Sequence, residues 1–444
     1  MIFDRKKYLD ELINKKNNSL IKVITGARRS GKSYLMNELY YNHLLSTGIS
    51  KTNIIRFAFD NDEDIDLLDN YYPEEPTKIY INKEYYTINS KKFRAYIKSI
   101  TNDNDNDIFY LLLDEVQILD SFVGTLNGFL KHSNFDVYVS GSNSYLLSSE
   151  IETMFRGRKS SVHVFPLSFS EFVLGTRLNS SEAWKKYIIT GGIPLVYQQQ
   201  ENDRIQFLNE LCYEVYLKDI IGRKGVKDPD TLDELFSVLA SCIGTGVSPL
   251  SLERTFKSQR NIRVTDDTIN NYINHFIDSF VVSKAFKYNI KGKSYINTPY
   301  KVYFEDIGIR NAKTGFRQIE ETHIMENIIY NELRYRGFSV DVGEVDINEM
   351  TDRLDSNGKK IYKKKALEVD FIANKGNQKY YIQSCLNIND PKTLEREKKS
   401  LYYIDDSFKK IIVTKDGLDI RKDDNGFTII DIFDFLLNAS SLDF

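Results

Sequence analysis

Over its first 170 residues the chain alternates short apolar runs with amphipathic stretches. Runs at 20–25, 54–59, 109–113, 137–139 and 162–164 are bounded by polar or glycine-containing turns, which predicts buried strands. Between them apolar residues recur at helical spacing, so the segment predicts an α/β domain on a parallel sheet. Tyr8, Leu9, Leu12 and Ile13 place a short amphipathic helix before the first strand, and "TNDNDND" at 101–107 predicts a polar loop.

Beyond 170 the pattern changes. Residues 170–220 read as helical, with a turn at "TGGIP", 190–194. A helix at 231–242 follows, then a helix capped by Ser248 and a third at 265–279 with Ile269, Tyr272, Ile273, Phe276 and Ile277 on one face. Strand-like pieces at 281–288 and 295–303 flank the turn "NIKGKS". Three helices and a hairpin is the order of a winged helix. A helix at 320–336 then precedes "EVDFIANKGNQKYYIQSC", 368–385, where an acidic strand turns into a second strand.

Length and composition bound the reading. With 444 residues, 41% hydrophobic and 28% charged, the chain is globular and too long for one core. The expected organisation is 1–170 as a P-loop core, 171–221 as a helical lid or linker, 222–303 as a winged-helix-like domain and 304–444 as a nuclease-like α/β domain. The net charge of −3 argues against a general polyanion binder. Cys212, Cys242 and Cys385 form no CxxC and read as free thiols, and the five histidines do not cluster as zinc ligands would. No apolar run approaches the ~20 residues of a membrane helix, so no membrane partner and a cytoplasmic location are expected.

The strongest chemical signal is "GARRSGKS" directly after the first strand and opening a helix, the context of a phosphate-binding loop. Gly26, Ala27, Arg28, Arg29, Ser30, Gly31, Lys32, Ser33 and Tyr34 are the expected nucleotide contacts. Glycines allow close backbone approach, Lys32 reaches the β- and γ-phosphates, and Ser33 binds Mg²⁺. "FYLLLDEVQ" supplies the complement: Asp114 for the Mg²⁺ shell and Glu115 to polarise the attacking water. ATP and Mg²⁺ are therefore the expected cofactors. In "VYVSGSNS", Asn143, or with less support Ser142, stands where a γ-phosphate contact would sit, and an ordinary turn fits as well. In "MFRGRKSS", Arg158, with Arg156 in reserve, is a candidate for transition-state charge, acting in cis or from a neighbouring subunit. A solvated basic turn fits the same spacing.

"GARRSGKSYL", "LLLDEVQ", "SGSNSYLLSSE", "RGRKSSVHVFPLSFSEF" and "GGIP" together resemble a bacterial and archaeal family of AAA-type ATPases. The resemblance covers nearly the whole chain and is specific through 20–200. It implies an additional-strand P-loop core, then a helical and winged-helix region, then a PD-(D/E)XK-like domain, and it supports Arg158. No function comes with it.

In the PD-(D/E)XK reading, Glu326 is the helix acid and Asp370 the metal-binding Asp, while Gln383-Ser384-Cys385 stands where Glu-x-Lys belongs. A glutamine adds no charge and a cysteine does not replace the lysine, so a non-cutting domain is expected unless Lys398 or Lys399 reaches in. For partners, the 265–279 helix carries Asp266, Asp267 and Asp278 and no cation. Phosphate contacts would fall to Arg254, Lys257, Arg260 and Arg263, to Lys287, Lys291 and Lys293, or to the basic run Lys359, Lys360 and Lys363 to Lys365. The leading expectation is an ATP-driven switch or remodeller acting with nucleic acid, DNA being the candidate, through its C-terminal domains. A protein-interaction regulatory or defence ATPase is the alternative, and an ATP-regulated nuclease the second. A homo-oligomer is implied if the arginine acts in trans.

Overall fold

The computed structural model describes residues 3–81, 85–101, 107–141, 155, 157–260, 262–317, 319–354, 360–388, 391–417 and 419–443. Two compact units result: Ile2–Pro166 with Asp278–Phe280, and Leu167–Ile277 with Val281–Phe444.

The N-terminal unit is built on five parallel strands: β1 (Ile21–Thr25), β2 (Ile54–Ala58), β5 (Phe109–Asp114), β6 (Phe135–Ser140) and β7 (Lys159–His163). Their order is β2-β5-β6-β1-β7, so β6 lies between the strand leading into the glycine-rich loop and the acidic strand. This is the additional-strand arrangement the resemblance implies. A small hairpin, β3 (Lys78–Tyr80) and β4 (Tyr86–Ile88), is inserted after β2. All six residues of β5 are buried, as a strand covered on both faces requires. Val23, Phe57, Leu111, Leu113, Val137 and Val139 meet Phe93, Ile97, Leu126 and Phe129 in one core.

The second unit carries a mixed nine-stranded sheet. Its strands are β8 (Gly246–Val247), β9 (Val282–Asn289), β10 (Ser294–Phe304), β11 (Ser339–Leu354), β12 (Lys360–Lys375), β13 (Gln378–Cys385), β14 (Lys409–Thr414), β15 (Arg421–Lys422) and β16 (Thr428–Asp431). They lie in the order β15-β16-β14-β13-β12-β11-β9-β10-β8. The expected helices occur at Pro229–Ser241, Pro249–Thr255, Asp266–Asp278 and Glu321–Tyr335, and Ser248 caps the second through the Ser251 amide at 3.2 Å. The break expected at 303/304 is not a break in the sheet. β9, on the earlier side, pairs in parallel with β11 through Lys287↔Val342 to Asn289↔Glu344. The first boundary falls at 166/167 rather than 170/171.

"TGGIP" has a packing reason. The helix Ser180–Thr190 ends at Gly191, with φ 69°, and the buried Asp306 carboxylate accepts from Gly192 N–H at 2.7 Å and Ile309 N–H at 3.1 Å. A Cβ on Gly191 would stand 2.4 Å from Asp306 Oδ1, and one on Gly192 2.4 Å from the Leu167 carbonyl. Glycine is required because the carboxylate must come that close. Asp306→Ala leaves those two amides buried without acceptors, so the second unit should lose about 3–6 kcal/mol, at about 1.5–3 kcal/mol per hydrogen bond to a charged group. A lowered denaturant midpoint at unchanged slope is the expected readout.

Candidate nucleotide site

The site gathers at the C-terminal edge of the five-stranded sheet, where doubly wound folds place theirs. β1 ends at Thr25 and the chain turns at Gly26, φ 144°, where a Cβ would stand 2.2 Å from the Val164 carbonyl. Arg29 and Gly31 also take positive φ, 64° and 97°, wrapping the loop before the helix that runs through Lys32–Tyr34, Leu35–Tyr40 and Tyr41–Ser46. Ala27 and Ser30 are buried, whereas Arg29, Ser33 and Tyr34 are exposed. Lys32 is buried, its Nζ donating to the carbonyls of Gly26 and Ala27 at 2.9 Å each. The ammonium is thereby held inside the loop.

β5 brings Asp114 to the same edge, 6% exposed. Burial raises its pKa, Glu115 adds to the rise, and hydrogen bonds from Ser140 and Ser33 with the charge of Lys32 oppose it. Asn37 Nδ2 reaches its other oxygen at 3.4 Å. Glu115 turns away from the strand at φ 50°, its N–H donating to Asp114 Oδ1 at 3.1 Å and its carboxylate accepting from Gln117. A non-glycine residue held at positive φ costs about 1–2 kcal/mol, which the surrounding turn must offset. Asp60, just past β2, joins the acidic group: burial raises its pKa, as do Glu115 and Asp114, while Arg28 lowers it.

Of the sequence candidates, Lys32, Ser33, Asp114 and Glu115 come together here. Asn143, Ser142 and Arg156 lie outside the described residues. Arg158 is elsewhere: its carbonyl accepts from Ile21 N–H at 2.9 Å, and β7 starts beside the start of β1. Because the strands are parallel, Arg158 is at the N-terminal edge of the sheet. The length of β7, about 16 Å at ~3.3 Å per residue, separates it from its own phosphate loop. Of the two alternatives for Arg158, in cis or from a neighbouring subunit, this placement does not fit the first. Three residues were missed by the sequence reading: Ser140, Asn37 and Asp60. Ser140 was legible as the last strand residue of "VYVSGSNS", whereas Asn37 and Asp60 become neighbours only through strand order.

Residues 18–173 match the family model described as an AAA domain, and residues 181–320 match a domain of unknown function (DUF8612). The second match runs across both boundaries expected at 222 and 303. A Haemophilus influenzae protein, itself described as uncharacterized, is 30% identical over 98% of this chain and 99% of its own length. The chain belongs to the same family. An uncharacterized Methanocaldococcus jannaschii protein is 27% identical over 86% of the chain and 77% of its own length. The match to the Haemophilus influenzae protein spans both the AAA-matching segment and the region after it.

Solved structures align more distantly. The Aeropyrum pernix ORC1 protein in complex with DNA is 11% identical, covering 71% of this chain and 93% of that one, at a TM-score of 0.33. AMPPCP-bound DnaA from Aquifex aeolicus is 12% identical, covering 60% and 85%, at 0.30. Among the described residues no helix is long and apolar enough to cross a membrane.

Proposed function

We propose that this protein is a Mg²⁺-dependent ATP hydrolase that works as a nucleotide-controlled switch. The observation that carries the reading is the convergence of Lys32, Ser33, Asp114 and Ser140 on one sheet edge inside the AAA-matching segment. A buried carboxylate beside two hydroxyls is a hard-oxygen donor set, which fits Mg²⁺. Ser33 and Asp114 would hold the ion, which when bound offsets the charge of the phosphates. Lys32 leaves the carbonyls of Gly26 and Ala27 for the β- and γ-phosphates, and the loop amides bind the phosphate oxygens. Glu115 orients the attacking water and takes its proton.

For the output, a protein partner fits better than nucleic acid. Four of the cations expected to meet phosphate are engaged in ion pairs. Lys287 pairs with Glu368 at 2.9 Å, Arg260 with Glu234 at 3.0 Å, Lys364 with Asp346 at 3.0 Å and Lys365 with Glu349 at 3.0 Å. The helix Asp266–Asp278, which would be the recognition helix of a winged helix, opens on two acids. The exposed Arg254, Lys257, Arg263, Lys291, Lys293, Lys360 and Lys363 are divided among three separate segments of the chain, and none lies on that helix.

Turnover by the full-length protein, with and without mixed DNA and RNA, tests both statements. Hydrolysis unchanged by nucleic acid is expected; stimulation that falls with salt would reverse the choice of partner. Lys32→Ala should weaken ATP binding by about 1.5–3 kcal/mol, roughly 10- to 100-fold, and abolish turnover. Unaltered turnover in that variant would remove the ATPase reading itself.

A further inference from the structure

The second unit contains a charge cluster that the nucleotide site does not use. Lys301, on β10, has a side chain only 3% exposed. Its ammonium lies 2.9 Å from Glu326 Oε1, 2.8 Å from Glu368 Oε1 and 3.6 Å from Asp370 Oδ1. Tyr303, two residues along the same strand, donates its hydroxyl to Glu326 Oε1 at 2.6 Å. Lys287, on the neighbouring strand β9, pairs with the other oxygen of Glu368 at 2.9 Å and lies 3.8 Å from Glu344.

Asp370 is held by further hydrogen bonds. Asp370 Oδ2 accepts from Ser384 N–H at 2.8 Å. Gln383 spans the gap beyond, its carbonyl accepting from Asp370 N–H at 3.3 Å and its amide donating to Glu397 at 3.0 Å. Burial works against the charge on Lys301, but Glu326, Asp370 and Glu368 outweigh it and hold the lysine above its ordinary pKa. Burial pushes Asp370 up, with the charge of Glu326 adding to it and Lys301 opposing.

Glu326 and Asp370 are the acids a nuclease-like domain would turn toward a divalent metal. Here they turn toward an ammonium. A divalent ion needs carboxylate oxygens at about 2.0–2.6 Å, and at this pocket it would meet a fixed like charge among those oxygens. Among the described residues no group of three or more His, Cys, Asp or Glu is arranged to hold a metal. The two lysines that could have restored a nuclease site are committed elsewhere: Lys398 to Asp423 at 2.9 Å and Lys399 to Glu349 at 2.9 Å.

We propose that Lys301 is the resident cation of this pocket, taking the place of a divalent metal, so that the acidic constellation persists as an internal, metal-free ion cluster. The pocket offsets part of its own negative charge with a side chain from the strand before the acidic helix. The domain then holds its fold without metal and has no bound ion with which to activate water on a phosphodiester. This inference is independent of the ATPase reading.

Mn²⁺ binding to the full-length protein without nucleotide, counted by electron paramagnetic resonance, provides the test. Wild type and Asp370→Asn should bind identically, because neither holds Mn²⁺ at this pocket. Lys301→Met removes the charge while keeping the chain volume. It should gain one Mn²⁺ per chain at least tenfold tighter than any wild-type site, and the gain should vanish in Lys301→Met/Asp370→Asn. Binding lost from wild type on Asp370→Asn, or a folded Lys301→Met that binds no more than wild type, would overturn the proposal. Where circular dichroism shows Lys301→Met unfolded, the wild-type and Asp370→Asn comparison decides alone, equal binding supporting the proposal.

Discussion

Replacing Glu115 by glutamine should leave ATP bound and stop its hydrolysis. The substitution keeps the shape and removes the proton acceptor, so the loss belongs to the chemical step. General-base contributions run at about 10²–10⁴-fold, which sets the expected fall in kcat. Binding should hold, because the groups aimed at the phosphates are Lys32 and the loop amides. Glu115 also sits at φ 50° and accepts from Gln117, so its backbone turn must survive. Circular dichroism and melting of the glutamine variant should match wild type. Fluorescent ATP binding beside single-turnover hydrolysis separates the two effects. A variant that still turns over at more than about a tenth of the wild-type rate would mean another group activates the water. Asp60 is the next candidate, through its charge coupling to Glu115 and Asp114.

The second large effect concerns Arg158. Its exposed place before β7, on the edge opposite its own phosphate loop, puts that loop out of its reach. If it stabilises transition-state charge in trans, Arg158→Ala should lower kcat by about 10³–10⁵-fold while ATP affinity stays put. Specific activity of the wild type should rise with protein concentration as subunits associate. Mixing Arg158→Ala with Lys32→Ala should recover part of the turnover, because one chain then supplies an intact loop and the other an intact arginine. No recovery on mixing, with full activity in a dilute monomer, would assign Arg158 to the solvated basic turn that its spacing also fits.

Local signals were strong in the N-terminal half. β1, β2 and β5 begin and end within about a residue or two of their expected bounds, because each is a short apolar run closed by a turn. The phosphate loop was legible for the same reason, since strand, glycines, lysine and helix follow one another without a gap. Ser140 ends β6 and meets Asp114 only because β6 lies beside β5, a neighbourhood that local sequence does not carry.

In the second half the order of elements was legible but their grouping was not. The hairpin β9–β10 read as the wing of a separate domain, yet three residues of parallel pairing with β11 join it to the following sheet. Such pairing leaves no mark in hydrophobic periodicity, which sees one strand at a time.

The sequence by itself determined the chemistry at the phosphate loop and the alternation that builds a parallel sheet. Those depend on neighbours along the chain. Only the tertiary structure decided that Arg158 faces away from its own loop, because that rests on which strands lie side by side and in which direction. Likewise, only the fold brought Lys301 to Glu326, Glu368 and Asp370. The lysine and Asp370 are distant in sequence, and a buried ammonium is tolerated only where such carboxylates surround it.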